Sequence, residues 1–96
     1  MARHEERIFR ISDEIAALRH DEYLAFEELI MLGHLDDDAQ RDAATSGSPL
    51  DAAGARETAG DVARMRGHVA DLRAARERLE HKRDRMLADR SVSVAE

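Results

Sequence analysis

An uninterrupted apolar repeat dominates the first third of this chain. Between Ala2 and Leu32 the sequence contains no glycine and no proline. Apolar residues recur at alternating intervals of three and four, broken only by Glu22: Ile8, Ile11, Ile15, Leu18, Ala25, Leu29 and Leu32. Such a heptad spacing, sustained over about four heptads, predicts a long α-helix that packs one stripe against another helix.

A second group of apolar residues lies beside this stripe. These residues widen the apolar side of the helix, and they are Phe9, Ala16, Tyr23, Phe26 and Ile30. Because a single partner helix covers only a narrow stripe, an apolar face this wide predicts contact with more than one helix.

The region around Gly33 is open to two interpretations. Gly33 is a suitable residue to end the helix, with the following aspartates capping a short new one. Alternatively the helix accepts Gly33 at a cost of about 1 kcal/mol and continues to about residue 44. We favour continuation, because Leu35 and Ala39 keep the apolar pattern.

A turn is predicted at residues 45–48, followed by a second helix at about 49–89. Ser48 is a suitable N-cap, and Pro49 suits the first helical position. We expect the tail, residues 90–96, to be frayed. The apolar stripe of the second helix consists of Val62, Met65, Val69, Leu72, Leu79 and Met86.

Two arginines, Arg76 and Arg83, interrupt the stripe of the second helix. If they are buried they need carboxylate partners, and Glu22 is a candidate. If the stripe shifts or frays there, both side chains reach solvent instead. A separate stripe of small residues, seven apart, allows close approach of another backbone: Ala53, Gly60, Gly67 and Ala74.

These elements predict an all-α fold, a long antiparallel helical hairpin that forms a single domain over residues 1–96. Large apolar side chains are scarce, because alanine supplies 17 of the 41 hydrophobic residues. One hairpin also leaves the side of the first helix with Phe9 and Tyr23 uncovered. We therefore expect a homodimer that forms a four-helix bundle.

The charge of the chain is divided between its halves. Residues 1–44 carry a net −7, whereas residues 64–90 carry a net +4. The whole chain has a net charge of −6, which repels nucleic acid. Cysteine is absent, no secretory leader is visible, and the longest apolar run is residues 29–32. We expect a cytoplasmic protein that binds neither nucleic acid nor membrane.

Metal binding is the first alternative function, and its candidate ligands are His20, Glu27 and His34. These residues are seven apart and so lie on one stripe, but about 10.5 Å separates neighbours along the axis. Helical metal ligands are usually three or four residues apart. We therefore expect a solvent-facing polar stripe and no metal or other cofactor.

Nucleic-acid association is the second alternative function, because residues 64–90 are rich in arginine. Interleaved acidic residues dilute this patch, and no nucleic-acid-binding motif accompanies it. Carboxylate pairs such as Glu5-Glu6 lack an enclosing pocket, so we expect no catalytic residue and no enzymatic activity.

Residues 64–87, which read RMRGHVADLRAARERLEHKRDRML, resemble the second helix of short actinobacterial helical-hairpin proteins. The resemblance implies a helical-hairpin fold and no particular activity. Taken together, the patterns predict a non-enzymatic, self-associating protein-interaction module. Its interface is predicted at Phe9, Ile15, Tyr23, Phe26, Ile30, Val62, Val69, Arg76 and Arg83.

Overall fold

A computed structural model describes the backbone of residues 3–95 and the side chains of residues 3–89. It contains two α-helices, α1 (Arg3–Ser46) and α2 (Pro49–Ala95), joined by Gly47 and Ser48. The residues it describes include no strand. The predicted fold class, an all-α helical hairpin, is confirmed.

Helix α1 continues through Gly33 without a break. Beyond Gly33 the half-buried positions are Asp36, Ala39 and Ala43, which extend the alternating steps of three and four. Leu35 lies off this stripe and is exposed, so it does not continue the apolar pattern as the sequence suggested. The helix is continuous because its packing stripe persists, although a polar residue occupies one of its positions.

The turn between the helices is stabilised by a backbone conformation that suits glycine. Gly47 has a φ of 63° and its N–H donates to the carbonyl of Ala43 at 3.1 Å, which closes the end of α1. Ser48 then caps α2, since its Oγ accepts hydrogen bonds from the N–H groups of Leu50 (3.2 Å) and Asp51 (3.4 Å).

Helix α2 extends further than the sequence suggested. We expected its end near residue 89 and a frayed tail at 90–96, whereas the helix runs to Ala95. Residues 90–95 contain no glycine or proline, so no residue there ends a helix. Glu96 lies outside the described residues.

Contacts divide the chain into two compact units. The first unit pairs α1 up to Glu22 with α2 from Asp71. Its core is a cluster of Ile8, Ile11, Ile15 and Met86, against which the partly buried Leu79 packs. Ile15 is only 2% exposed, which makes it the best-buried side chain of this cluster.

The second unit, Tyr23–Ala70, contains the turn and has a thinner core. Its buried side chains are all small or medium-sized: Ala25, Ala55, Val62 and Val69. Large apolar side chains are present in this part of α1, but most of them point away from α2. Burial within this unit is therefore limited to a narrow stripe of contact.

Candidate interaction surfaces

A charged layer occupies the stripe of the first unit at Glu22. Arg76 Nε donates to Glu22 Oε2 at 2.7 Å, and Arg73 Nε donates to Glu22 Oε1 at 3.2 Å. Arg76 also donates to Glu80 at 2.6 Å, and Arg19 donates to the other oxygen of Glu80 at 2.8 Å. Five side chains of alternating charge thus form one network between the two helices.

This network keeps its carboxyl groups ionised. The hydrogen bond from Arg76, followed by that from Arg73, holds the pKa of Glu22 below its ordinary value. The hydrogen bond from Arg19 does the same to the pKa of Glu80, and both carboxylates raise the pKa of Arg76. Groups held in one charge state across the neutral range are suited to holding two helices in register rather than to proton transfer.

The two arginines that interrupt the α2 stripe are placed differently. The side chain of Arg76 is 20% exposed and that of Glu22 is 15% exposed, so Arg76 is half-buried and paired rather than turned to solvent. Its guanidinium is thus engaged within the chain, and a role of Arg76 at an interface stays a prediction. Arg83 is half-buried, and it makes no hydrogen bond or ion pair within residues 3–89.

A second polar layer, which the sequence reasoning missed, lies in the second unit. Thr58 Oγ1 donates to Asp36 Oδ1 at 2.8 Å, and Gln40 Nε2 donates to the same oxygen at 3.0 Å. The amide of Gln40 also donates to the carbonyl of Ala55 at 2.9 Å. The hydrogen bond from Gln40, then that from Thr58, lowers the pKa of Asp36. The missed signal was that Asp36 continues the three-four spacing after Leu32.

The largest exposed apolar surface of the second unit lies on α1 between residues 23 and 35. Six large apolar side chains there are 43–68% exposed: Tyr23, Leu24, Phe26, Ile30, Met31 and Leu35. Three of them, Tyr23, Phe26 and Ile30, directly follow stripe residues and so lie together on one side of α1. We call these three residues the apolar flank. The sequence predicted all three as interface residues.

The other predicted interface residues fall into two groups. Phe9, in the first unit, is 56% exposed. Ile15, Val62 and Val69 are buried by packing within the chain and offer no surface to a second molecule. The heptad pattern places Ile15, Val62 and Val69 on the packing stripes and Phe9 beside one of them, and burial follows the same division.

The candidate metal ligands His20, Glu27 and His34 are all exposed on α1. Within the described residues, no group of three or more His, Asp or Glu side chains is placed to hold a metal ion. Neither helix, over its described length, contains a segment long and apolar enough to cross a membrane.

An open groove lies in the second unit. It is lined by Glu28, Leu32, Asp61, Arg64, Met65 and His68. Arg64 forms an ion pair with Asp61 within this groove. Two of the charged groups of its wall thus pair with each other.

Comparison with protein-family models, with curated proteins and with solved structures gives no match for this chain.

Proposed function

We propose that this chain is a non-enzymatic protein-interaction module that acts as a homodimer, with the apolar flank at the centre of its interface. The observation that carries the proposal is the exposure of Tyr23, Phe26 and Ile30 on one side of α1. Single exposed apolar residues are common, whereas a cluster on one side of a helix is typical of a contact surface.

The area of the flank is consistent with the core of an interface. A fully buried Phe or Tyr covers about 150–250 Å². Tyr23 is 60% exposed and Phe26 is 47% exposed. Each of these rings therefore presents on the order of 100 Å² to solvent. A stable dimer buries about 800 Å² on each partner, so surrounding residues must supply the rest.

The thin core of the second unit supports the same proposal. Its buried side chains are two alanines and two valines, while larger apolar groups remain outside. Covering the flank with further helices would form a four-helix bundle, in which Tyr23, Phe26 and Ile30 become part of the core. Self-association would thereby supply the burial that one helix pair lacks.

The charged groups support a non-enzymatic role. Every carboxyl group with a clearly lowered pKa accepts hydrogen bonds from Arg, Gln or Thr side chains within its own unit. A catalytic acid or base instead needs a pKa near the working pH and access to a substrate.

Sedimentation equilibrium at micromolar concentration tests the proposal directly. We expect a dimer for the unaltered chain and weaker association for Ile30→Gln. The loss is expected to be about tenfold in Kd, because burying a large aliphatic side chain contributes about 1.5–3 kcal/mol. Leu50, which is 80% exposed near the turn, provides a matched control, and Leu50→Gln should leave the dimer intact. A fully helical monomer at these concentrations would overturn the proposal.

A further inference from the structure

We infer that the occupant of the apolar flank is a second copy of this chain in one particular arrangement, with α1 of each copy packed on α2 of the other and both turns at the same end. This inference rests on the proposed homodimer and specifies its geometry. It follows from which residues share a side of the second unit, from their sizes and from their charges.

The first step is to identify the α2 residues that lie on the same side as the flank. In an antiparallel helix pair, residues that directly follow stripe residues on the two helices lie on the same side, because both helices are right-handed. The first unit shows this relation. Arg19 follows Leu18, Glu80 follows Leu79, and these two side chains form an ion pair at 2.8 Å.

The same rule applied to the second unit places small residues beside the flank. Ala59, Ala63 and Ala70 directly follow the α2 stripe residues Thr58, Val62 and Val69, and all three alanines are exposed. By the same rule Arg56 and Arg66, which follow Ala55 and Met65, also lie on this side. The side therefore presents large apolar residues on α1, and alanines together with two arginines on α2.

Such a surface is complementary to itself. When α1 of one copy lies over α2 of the other, the large flank residues pack beside the alanines, and Arg56 and Arg66 lie against the acidic α1 of the partner. When α1 lies over α1, the large flank residues meet each other, and α2 lies over α2, so the side with Arg56 and Arg66 faces its own copy. Close packing therefore favours the first arrangement.

Charge favours the same arrangement. Within the second unit, α1 carries six acidic side chains and one basic side chain, a net −5 with His neutral. The α2 part, residues 49–70, carries three of each sign. Packing α1 on α1 brings two strongly acidic helices together. Packing α1 on α2 instead places the two α1 helices diagonally across the bundle, further apart.

Symmetry then fixes the direction of the second copy. A two-fold axis parallel to the helices places α1 over α2 and brings both turns to the same end. An axis perpendicular to the helices places α1 over α1 and sends the turns to opposite ends. The position of the turns therefore distinguishes the two closed dimers.

Spin-label distances measure that position. The chain has no cysteine, so Thr45→Cys gives one label for each copy, at the exposed end of α1. Helix axes in a bundle are 8–10 Å apart, so turns at one end predict a label distance below about 30 Å. Thr45 lies at least 15 residues beyond the flank, so turns at opposite ends predict about 45 Å or more. The longer distance would overturn the inference.

A substitution on α2 provides a second test. Ala63→Gln adds bulk under the flank of the partner and should weaken the dimer about tenfold or more. Ala53→Gln is the matched control, because Ala53 is also an exposed alanine of α2 but faces away from this side. The two variants should retain the same helicity.

The outcomes separate the inference from the proposed function. If the unaltered chain is a dimer but Ala63→Gln associates as tightly as Ala53→Gln, the arrangement is wrong and the self-association stands. If the unaltered chain is a monomer, the proposed function itself fails.

Discussion

Gly33 and Gly47 show how the local backbone decides whether an added methyl group raises or lowers stability. Gly33 lies within α1, and a methyl group added there would meet no atom within 4 Å. Gly47 also has open space around it, but its φ of 63° is a conformation that side chains disfavour. The same substitution should therefore have opposite effects at the two positions.

We expect Gly33→Ala to raise the free energy of unfolding by up to about 1 kcal/mol, because alanine is the better helix former. Gly47→Ala should lower it by about 1–2 kcal/mol, because the left-handed conformation is costly for alanine. Urea unfolding followed by circular dichroism measures both. Equal changes for the two variants would contradict the assigned turn.

The pairing of Glu22 with Arg76 predicts that substitutions of these two residues have non-additive effects on the free energy of unfolding. Glu22→Leu removes one of the two carboxylates that hold Arg76, and Arg76→Leu removes the closest partner of Glu22. Each single variant should be less stable, because a half-buried charge loses its partner, and the double variant should recover much of the loss. Urea unfolding of all three variants completes the cycle.

Arg41→Leu is the control for this cycle. Arg41 pairs with Asp38 within one helix, and both side chains are about 70% exposed, so its removal should change stability little. Strictly additive losses for Glu22→Leu and Arg76→Leu would contradict the pairing.

The lowered pKa values of Glu22, Glu80 and Asp36 predict how stability depends on pH. A carboxyl group whose pKa is lower in the folded state contributes stability above its unfolded pKa. That stability is lost as the pH falls through the folded value. The unfolded values are near 4.5 for Glu22 and 3.8 for Asp36, so the loss should occur below about pH 4.5. Urea midpoints at pH 7, 5 and 3 measure it.

Glu22→Gln is the informative variant for this pH dependence. It removes one of the titrating groups, so its stability should fall less between pH 5 and pH 3 than that of the unaltered chain. If this variant loses as much stability between pH 5 and pH 3 as the unaltered chain, Glu22 does not contribute to the pH dependence.

At the level of the helix, α1 carries large apolar residues on two sides with different roles. Ile15 lies in the core of the first unit, whereas Phe26 lies on the apolar flank and is half exposed. The stripe holds the helix pair together, and the flank is available for a further helix. Substitutions in the stripe should therefore affect the folding equilibrium, and substitutions in the flank should affect the association equilibrium.

We expect Ile15→Ala to lower the free energy of unfolding by about 2–5 kcal/mol, since it leaves a cavity in the core. Phe26→Ala should change the stability of the monomer far less, and should act mainly on association. Urea unfolding at low protein concentration isolates the first effect, and sedimentation measures the second. Similar losses of monomer stability would contradict this division of α1.

At the level of the whole chain, folding and association are linked. If the dimer supplies burial that the second unit lacks, the folded state gains stability by mass action. The Tm should then rise with protein concentration, and calorimetry over a hundredfold range of concentration would measure the rise. A constant Tm would indicate that the chain is stable without a second copy.

Local patterns determined the helices and the turn in advance. The three-four spacing in α1, the glycine-free stretch before Leu32 and the Ser48-Pro49 start of α2 each act over a few residues. A sequence displays such signals directly. The continuation through Gly33 was predicted for the same reason, although Leu35 was assigned to the stripe in place of Asp36.

The tertiary structure alone decided which polar residues lie between the helices and how they pair. Whether Arg76 meets Glu22 or solvent depends on the register of α2 against α1, which no local pattern specifies. The same register places the half-buried Asp36 beside Thr58. Helical periodicity predicts which residues share a face of a helix. Only packing between segments distant in sequence determines which residues that face contacts.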